Sequence, residues 1–146
     1  MNRITPFHAN LMQERMILIS PKMFHRRGRW QAIRCALQGL REAWWSQPNL
    51  RLHVMIGGAV TATGLLCRLS LTEWLWVSFA IGLVIFAELM NTAIEQTVDL
   101  VVGLHPDPLA RQVKDIAAGC VLVAACLAAV IGGLTFLPHR VSGLKT

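Results

Sequence analysis

Along the first 29 residues the apolar positions follow no sustained period. The segment is polar and basic and is broken by Pro6, Pro21 and Gly28. Residues 1–29 therefore read as a mobile N-terminal arm. From residue 30 the pattern changes: Trp30, Ile33, Leu37, Leu40 and Trp44 recur at helical spacing, with Gln31, Arg34, Gln38, Arg41 and Glu42 outside the stripe. That spacing predicts an amphipathic surface helix over 30–46, its Trp residues at headgroup level and its Arg residues toward phosphates. Pro48 ends it. Three largely apolar stretches follow, at about 52–68, 74–100 and 108–137. The first carries Gly57, Gly58, Ala59 and Gly64, which permit close helix approach. The second opens on Trp74 and Trp76 as interfacial anchors, after a tight turn over 68–73. The third is announced by Asp107-Pro108, a helix N-cap followed by proline at the first helical position. Its part from Ile116 to Leu137 holds 22 residues without a charge, where about 20 suffice to cross a bilayer. The expected fold is an all-α membrane protein: one domain, 30–146, of three transmembrane helices plus an N-terminal amphipathic surface helix.

Composition agrees, and charge adds an orientation. The chain has 146 residues, 54% of them hydrophobic and 15% charged, a balance typical of membrane proteins. Of its 14 Lys and Arg residues, nine lie at or before Arg51. Arg111 and Lys114 join them on the same face, which leaves Arg68, Arg140 and Lys145 opposite. This asymmetry predicts a cytoplasmic N-terminus and an external C-terminus. A basic arm also suits nucleic acid, but one that leads straight into apolar spans is more simply attracted to anionic lipid. No nucleic-acid partner is expected. The four cysteines form no CxxC pair and read as small buried hydrophobes, and the five histidines have no metal-ligand spacing.

The second span carries what an apolar helix should not. Glu88, Asn91, Glu95 and Asp99, with Thr92 between them, have offsets of 0, 3, 7 and 11 and share one helical face. An acid in such a segment costs several kcal/mol unless it faces protein or water, so it marks a functional site by default. The stripe is roughly 16 Å long at about 1.5 Å per residue, enough to span a triphosphate and its metal. Asp107, Lys114 and Asp115 fall at the same membrane face. So many acids call for a divalent cation, and hard oxygen donors without His or Cys point to Mg²⁺. Lys114 supplies a compact positive charge for phosphates, and one carboxylate at the lipid boundary could act as general base on a lipid hydroxyl.

Each residue also has a plainer reading. A single membrane glutamate often serves only as a hydrogen-bond partner, Lys114 with Asp115 could be an interfacial ion pair, and Asp107 could be the cap alone. A small proton-coupled transporter with Glu88 as carrier acid is the rival from another class. It is disfavoured because the acids gather at one face, whereas transport sites lie near the midplane. No Walker A loop, kinase glycine-rich loop or GxSxG is present, which removes the soluble kinase and hydrolase classes.

The segments Ala87-Glu-Leu-Met-Asn-Thr-Ala-Ile-Glu-Gln-Thr-Val-Asp99 and Pro108-Leu-Ala-Arg-Gln-Val-Lys-Asp-Ile-Ala-Ala-Gly119 resemble the paired motifs of the prokaryotic diacylglycerol kinase family, which includes undecaprenol kinases. The resemblance covers roughly 33–137. It extends to Ile33-Arg34, Ala36, Gly39-Leu40, Trp44 and Asn49-Leu-Arg51. It implies a small homotrimeric inner-membrane enzyme that moves the γ-phosphate of ATP to a lipid hydroxyl with Mg²⁺. By position, Glu88 is then the base, Glu95 a metal ligand, Asn91 an orienting partner, and Asp99, Lys114 and Asp115 nucleotide contacts. The acceptor it implies is diacylglycerol, with undecaprenol as the alternative. At Gln47 the family usually carries a glutamate that is a second metal ligand; an amide oxygen can still coordinate, with less charge. That substitution also makes a non-catalytic membrane subunit an alternative. The loop before Pro108 is one residue longer than the family's usual form.

Overall fold

The computed structural model describes residues 28–103 and 105–143, with side chains through His139. All but two residues of the expected arm lie outside it. Four helices make up the described chain: α1 (Arg29–Ser46), α2 (Pro48–Cys67), α3 (Leu71–Val102) and α4 (Pro108–Gly143). No strand occurs among the described residues.

Each helix starts and stops where local chemistry requires it. Gln47 has extended backbone, φ −111° and ψ 104°, because the proline that follows disfavours the helical conformation in its predecessor. Pro48 does more than end α1. It occupies the first position of α2, where its missing N–H is no loss, so α2 begins four residues before the apolar run expected at 52. Arg51 Nη1 donates to the carbonyl oxygens of Trp44 and Trp45, both at 3.3 Å, and so satisfies terminal carbonyls of α1 that have no intrahelical partner.

Arg68 closes α2 in the left-handed region at φ 54°, with its N–H on Leu65 O and the Leu69 N–H on Gly64 O. The turn is tight at Gly64, where a Cβ would stand 3.0 Å from both Leu69 Cδ1 and Trp74 Cη2. Ser70 and Glu73 then form a capping box. Glu73 Oε2 accepts from Ser70 N and Oγ at 2.7 Å each, and Ser70 Oγ accepts from Glu73 N at 3.4 Å. The box starts α3 at Leu71, ahead of the expected 74.

Asp107 caps α4: its Oδ1 accepts from Leu109 N at 2.7 Å and Ala110 N at 2.9 Å. Helix α4 continues past Leu137 and through Pro138. A proline conflicts with the turn before it and leaves the chain after it free to stay helical.

Helix α3 packs chiefly against α4 and less against α2. Val77, Ala80 and Val84 from α3, and Ala117 and Ala124 from α4, are buried, small enough to let the helices approach closely. Gly57 serves the α2–α3 contact in the same way, since a Cβ there would stand 3.0 Å from Ile81 Cγ2. The exterior is apolar. Among the described residues three helices are long and apolar enough to cross a membrane, and their most apolar stretches are only 17%, 33% and 11% buried within the chain. Such a surface needs lipid or further protein around it, and the chain is a membrane protein. The same solvent corrects the reading of the cysteines: Cys120 and Cys126 on α4 are exposed. In a bilayer an apolar side chain loses little by facing outward.

Candidate functional site

The polar stripe of α3 descends from interior to surface. Glu88, Asn91 and Thr92 are only 3%, 7% and 5% exposed, Glu95 is half-buried, and Asp99 is exposed. Position along the helix adds a second gradient. From the anchor Trp74, Glu88 lies about 21 Å along the axis and Asp99 about 38 Å, against a hydrocarbon core of about 30 Å. Glu88 is therefore within the apolar slab and Asp99 beyond it, so a lipid group and a water-borne group could reach opposite ends of one stripe.

Two hydrogen bonds organise the stripe. Asn91 Nδ2 donates to Glu95 Oε1 at 3.0 Å, one turn apart. Lys114 Nζ donates to Asp99 Oδ1 at 2.5 Å and ties α4 to α3 at the exposed end. Lys114 thus pairs with Asp99, and the alternative of a Lys114–Asp115 pair is not formed. Neighbours on a helix point about 100° apart, and Asp115 instead lies 3.9 Å from Arg111 one turn back. Both members of that pair are exposed, and it contributes little.

Three acceptors or donors remain open. Asn91 Oδ1 and Thr92 Oγ1 are buried without a hydrogen-bond partner. Among the described residues no hydrogen bond reaches the Glu88 carboxylate either. Native interiors rarely leave such groups unmatched, and the exceptions concentrate where a ligand or a reaction supplies the partner. Residue type and spacing alone singled out Glu88, Asn91 and Glu95. They did not single out Thr92, whose burial is the only signal.

Gln47, at the break between α1 and α2, is half-buried. Its side chain makes no capping bond, and among the described residues no hydrogen bond joins it to the stripe. No group of three or more His, Cys, Asp or Glu able to hold a metal occurs among the described residues. A Mg²⁺ site does not require one, because this ion is commonly held by one or two carboxylates and completed by substrate phosphates and water. The orphaned Asn91 Oδ1 and the second oxygen of Glu95 are hard donors of the kind it takes, so the residues present fit the ion.

Between α2, α3 and α4 lies an apolar cavity of about 350 Å³, lined among others by His53, Gly57, Val84, Gly132 and Phe136. Glu88 stands one turn beyond Val84. A buried carboxylate one helical turn along from an apolar cavity it does not itself line, with a cation at the water-facing end, suits a reaction between an apolar alcohol and a charged donor.

Comparison with known proteins agrees with this arrangement. The family model for prokaryotic diacylglycerol kinase matches residues 34–136, which include the whole stripe, Gln47, Lys114 and Asp115. The chain belongs to the prokaryotic diacylglycerol kinase family. It is 43% identical over 101 residues to the undecaprenol kinase of Bacillus subtilis, which covers 69% of this chain and 81% of that protein. It is 37% identical over 124 residues to the diacylglycerol kinase of Synechocystis, covering 80% and 71%. A prokaryotic diacylglycerol kinase is a lipid kinase, and this member accordingly takes ATP and a membrane lipid as its substrates. The polar stripe lies in the matched segment, whereas the whole N-terminal arm, 1–29, lies outside it.

Proposed function

We propose that the chain phosphorylates the hydroxyl of diacylglycerol with ATP and Mg²⁺, as a homotrimer in the bacterial inner membrane with its N-terminus cytoplasmic. The observation that carries this is the graded stripe on α3. It has a buried, unbonded carboxylate at Glu88 within the apolar slab, and a Lys114–Asp99 pair at the end that water reaches.

In this reading the acceptor's hydrocarbon enters from the membrane and its hydroxyl meets Glu88. Glu88 takes the proton as the hydroxyl oxygen bonds to the γ-phosphorus, and the bond to the bridging oxygen breaks to release ADP. Asn91 fixes one Glu95 oxygen through the bond already present. Glu95, with the amide oxygen of Gln47, would hold Mg²⁺, which when bound neutralises phosphate charge. Asp99, Lys114 and Asp115 contact the nucleotide, Lys114 by charge and the two acids by accepting from its hydroxyl or amino groups. The domain division proposed is the arm, 1–29, followed by the membrane kinase domain, 30–146.

A second reading takes undecaprenol as acceptor, and the 43% identity to an undecaprenol kinase favours it. The chemistry is the same, because both acceptors offer a primary or allylic hydroxyl at the end of an apolar body. The test is phosphoryl transfer from γ-labelled ATP, with the purified protein in lipid bilayers given diacylglycerol or undecaprenol. Label in phosphatidic acid is expected. Label confined to undecaprenyl phosphate would move the assignment to the second reading, and label in neither lipid would refute both.

A further inference from the structure

Thr92 is 5% exposed, and its hydroxyl is buried without a partner. Threonines in a helix usually settle this by donating to the carbonyl one turn back. Three others here do so: Thr61 to Gly57 O at 2.8 Å, Thr63 to Ala59 O at 2.9 Å and Thr97 to Ala93 O at 2.7 Å. Thr92 leaves the Glu88 carbonyl alone. Its burial comes from its own chain, so a neighbouring copy cannot supply the missing bond.

One turn back on the same face stands the Glu88 side chain, 3% exposed and likewise without a hydrogen bond among the described residues. Side chains four apart on a helix are neighbours. A hydroxyl can donate and a carboxylate can only accept, so these two open groups are complementary. Asn91 makes no bond to the carboxylate among the described residues: the bond from its amide nitrogen runs to Glu95, away from Glu88, and its free oxygen is an acceptor.

We propose that Thr92 is a positioning residue for Glu88: its hydroxyl turns to donate to the carboxylate and holds one oxygen, which leaves the other aimed at the acceptor's hydroxyl. This rests on Glu88 being the base. A carboxylate at the end of two methylenes has more than one rotamer, and a fixed donor restricts it to the productive one. In a buried setting such a charge-assisted bond is stronger than a neutral one. The arrangement also explains why an unpaired hydroxyl persists in the core.

The test compares Thr92→Val, which keeps shape and branching, with Thr92→Ser, which keeps the hydroxyl, in the full-length protein in bilayers. Thr92→Val is expected to lower kcat roughly tenfold or more, the size of one hydrogen bond to a charged group, with the KM values for ATP and lipid within about twofold on the same arithmetic. A fall in its thermal midpoint is expected beside the loss of kcat, because the buried Glu88 carboxylate loses its donor. Thr92→Ser should retain most of the wild-type kcat, and in a Glu88→Gln background Thr92→Val should cause no further loss. A Thr92→Val protein with unchanged kcat, or with only a lowered thermal midpoint, would overturn the proposal, as would a Thr92→Ser variant as slow as the valine. Thr92→Ala replaces the valine variant if that does not fold. Should Glu88→Gln itself keep its turnover, the assignment of Glu88 as base is what fails; should Glu88→Gln be inactive while Thr92→Val is not, Thr92 alone is wrongly assigned.

Discussion

Glu88 combines near-complete burial with the lack of any hydrogen bond among the described residues, an expensive state for a carboxylate unless a reaction uses it. As the base, it should tolerate no loss of its charge. Glu88→Gln is expected to reduce turnover at least about a hundredfold, the low end for general base catalysis, with ATP binding retained; turnover within a fewfold of wild type would remove it from that role. Gln47 tests the metal. Replacing its amide by a carboxylate adds a negative charge and a hard donor, so Gln47→Glu is expected to lower the Mg²⁺ concentration for half-maximal activity with little change in lipid KM. A Mg²⁺ titration that does not move, or an inactive variant, would mean that position 47 makes no contact with the ion. Glu95 and Asn91 were recognisable from type and spacing, and their bond gives that spacing a geometry. Lys114 was recognisable as a cation but not by partner, since Asp99 sits fifteen residues away on another helix.

Among the helices, α1 has the strongest apolar stripe and the least protein to bury it. Trp30, Ile33, Leu37, Leu40 and Trp44 are all exposed, and so are Gln31 and Gln38 between them. Exposure therefore does not separate the two faces, and only their chemistry does. An amphipathic helix of this kind lies in the interface with its apolar face in the acyl boundary. Spin labels at the five apolar positions should report contact with lipid and labels at Gln31 and Gln38 contact with water; the reverse pattern, or none, would place α1 elsewhere. The helix ends follow from local rules. Asp107 was identifiable as a cap because Asp-Pro is a strong start signal, and the two bonds to its Oδ1 bear this out. Helices α2 and α3 start ahead of the apolar spans read from hydropathy, because Pro48 and the Ser70–Glu73 box begin them among mixed residues, Asn49 and Arg51 in one and Thr72 and Glu73 in the other. The end of α4 was misjudged for the complementary reason, that Pro138 interrupts a pattern without interrupting the helix.

Taken together, the helices leave more apolar surface outside than a single copy can bury. No more than a third of any spanning stretch is covered, and the described residues bring no three acids together around a metal. A homotrimer would cover part of this surface and add groups to the site. Cross-linking of the protein in native membranes is expected to yield a ladder that stops at three copies. A ladder that stops at one, or one that continues past three, would rule the trimer out.

Fold class was determined by the order of residues alone, because a continuous apolar run of helix-spanning length satisfies its backbone within itself only as a helix. The face on which Glu88, Asn91, Glu95 and Asp99 lie was determined in the same way, since a helix converts spacing into direction. Contacts between helices were not. That Lys114 reaches Asp99 and not Asp115, and that Thr92 and Glu88 are covered while Asp99 is not, depends on how closely α3 and α4 approach. That approach is set by the joint packing of Ala80, Val84, Ala117 and Ala124. Burial is a property of neighbours distant along the chain, and it alone turns a threonine in an apolar run into a group that needs a partner.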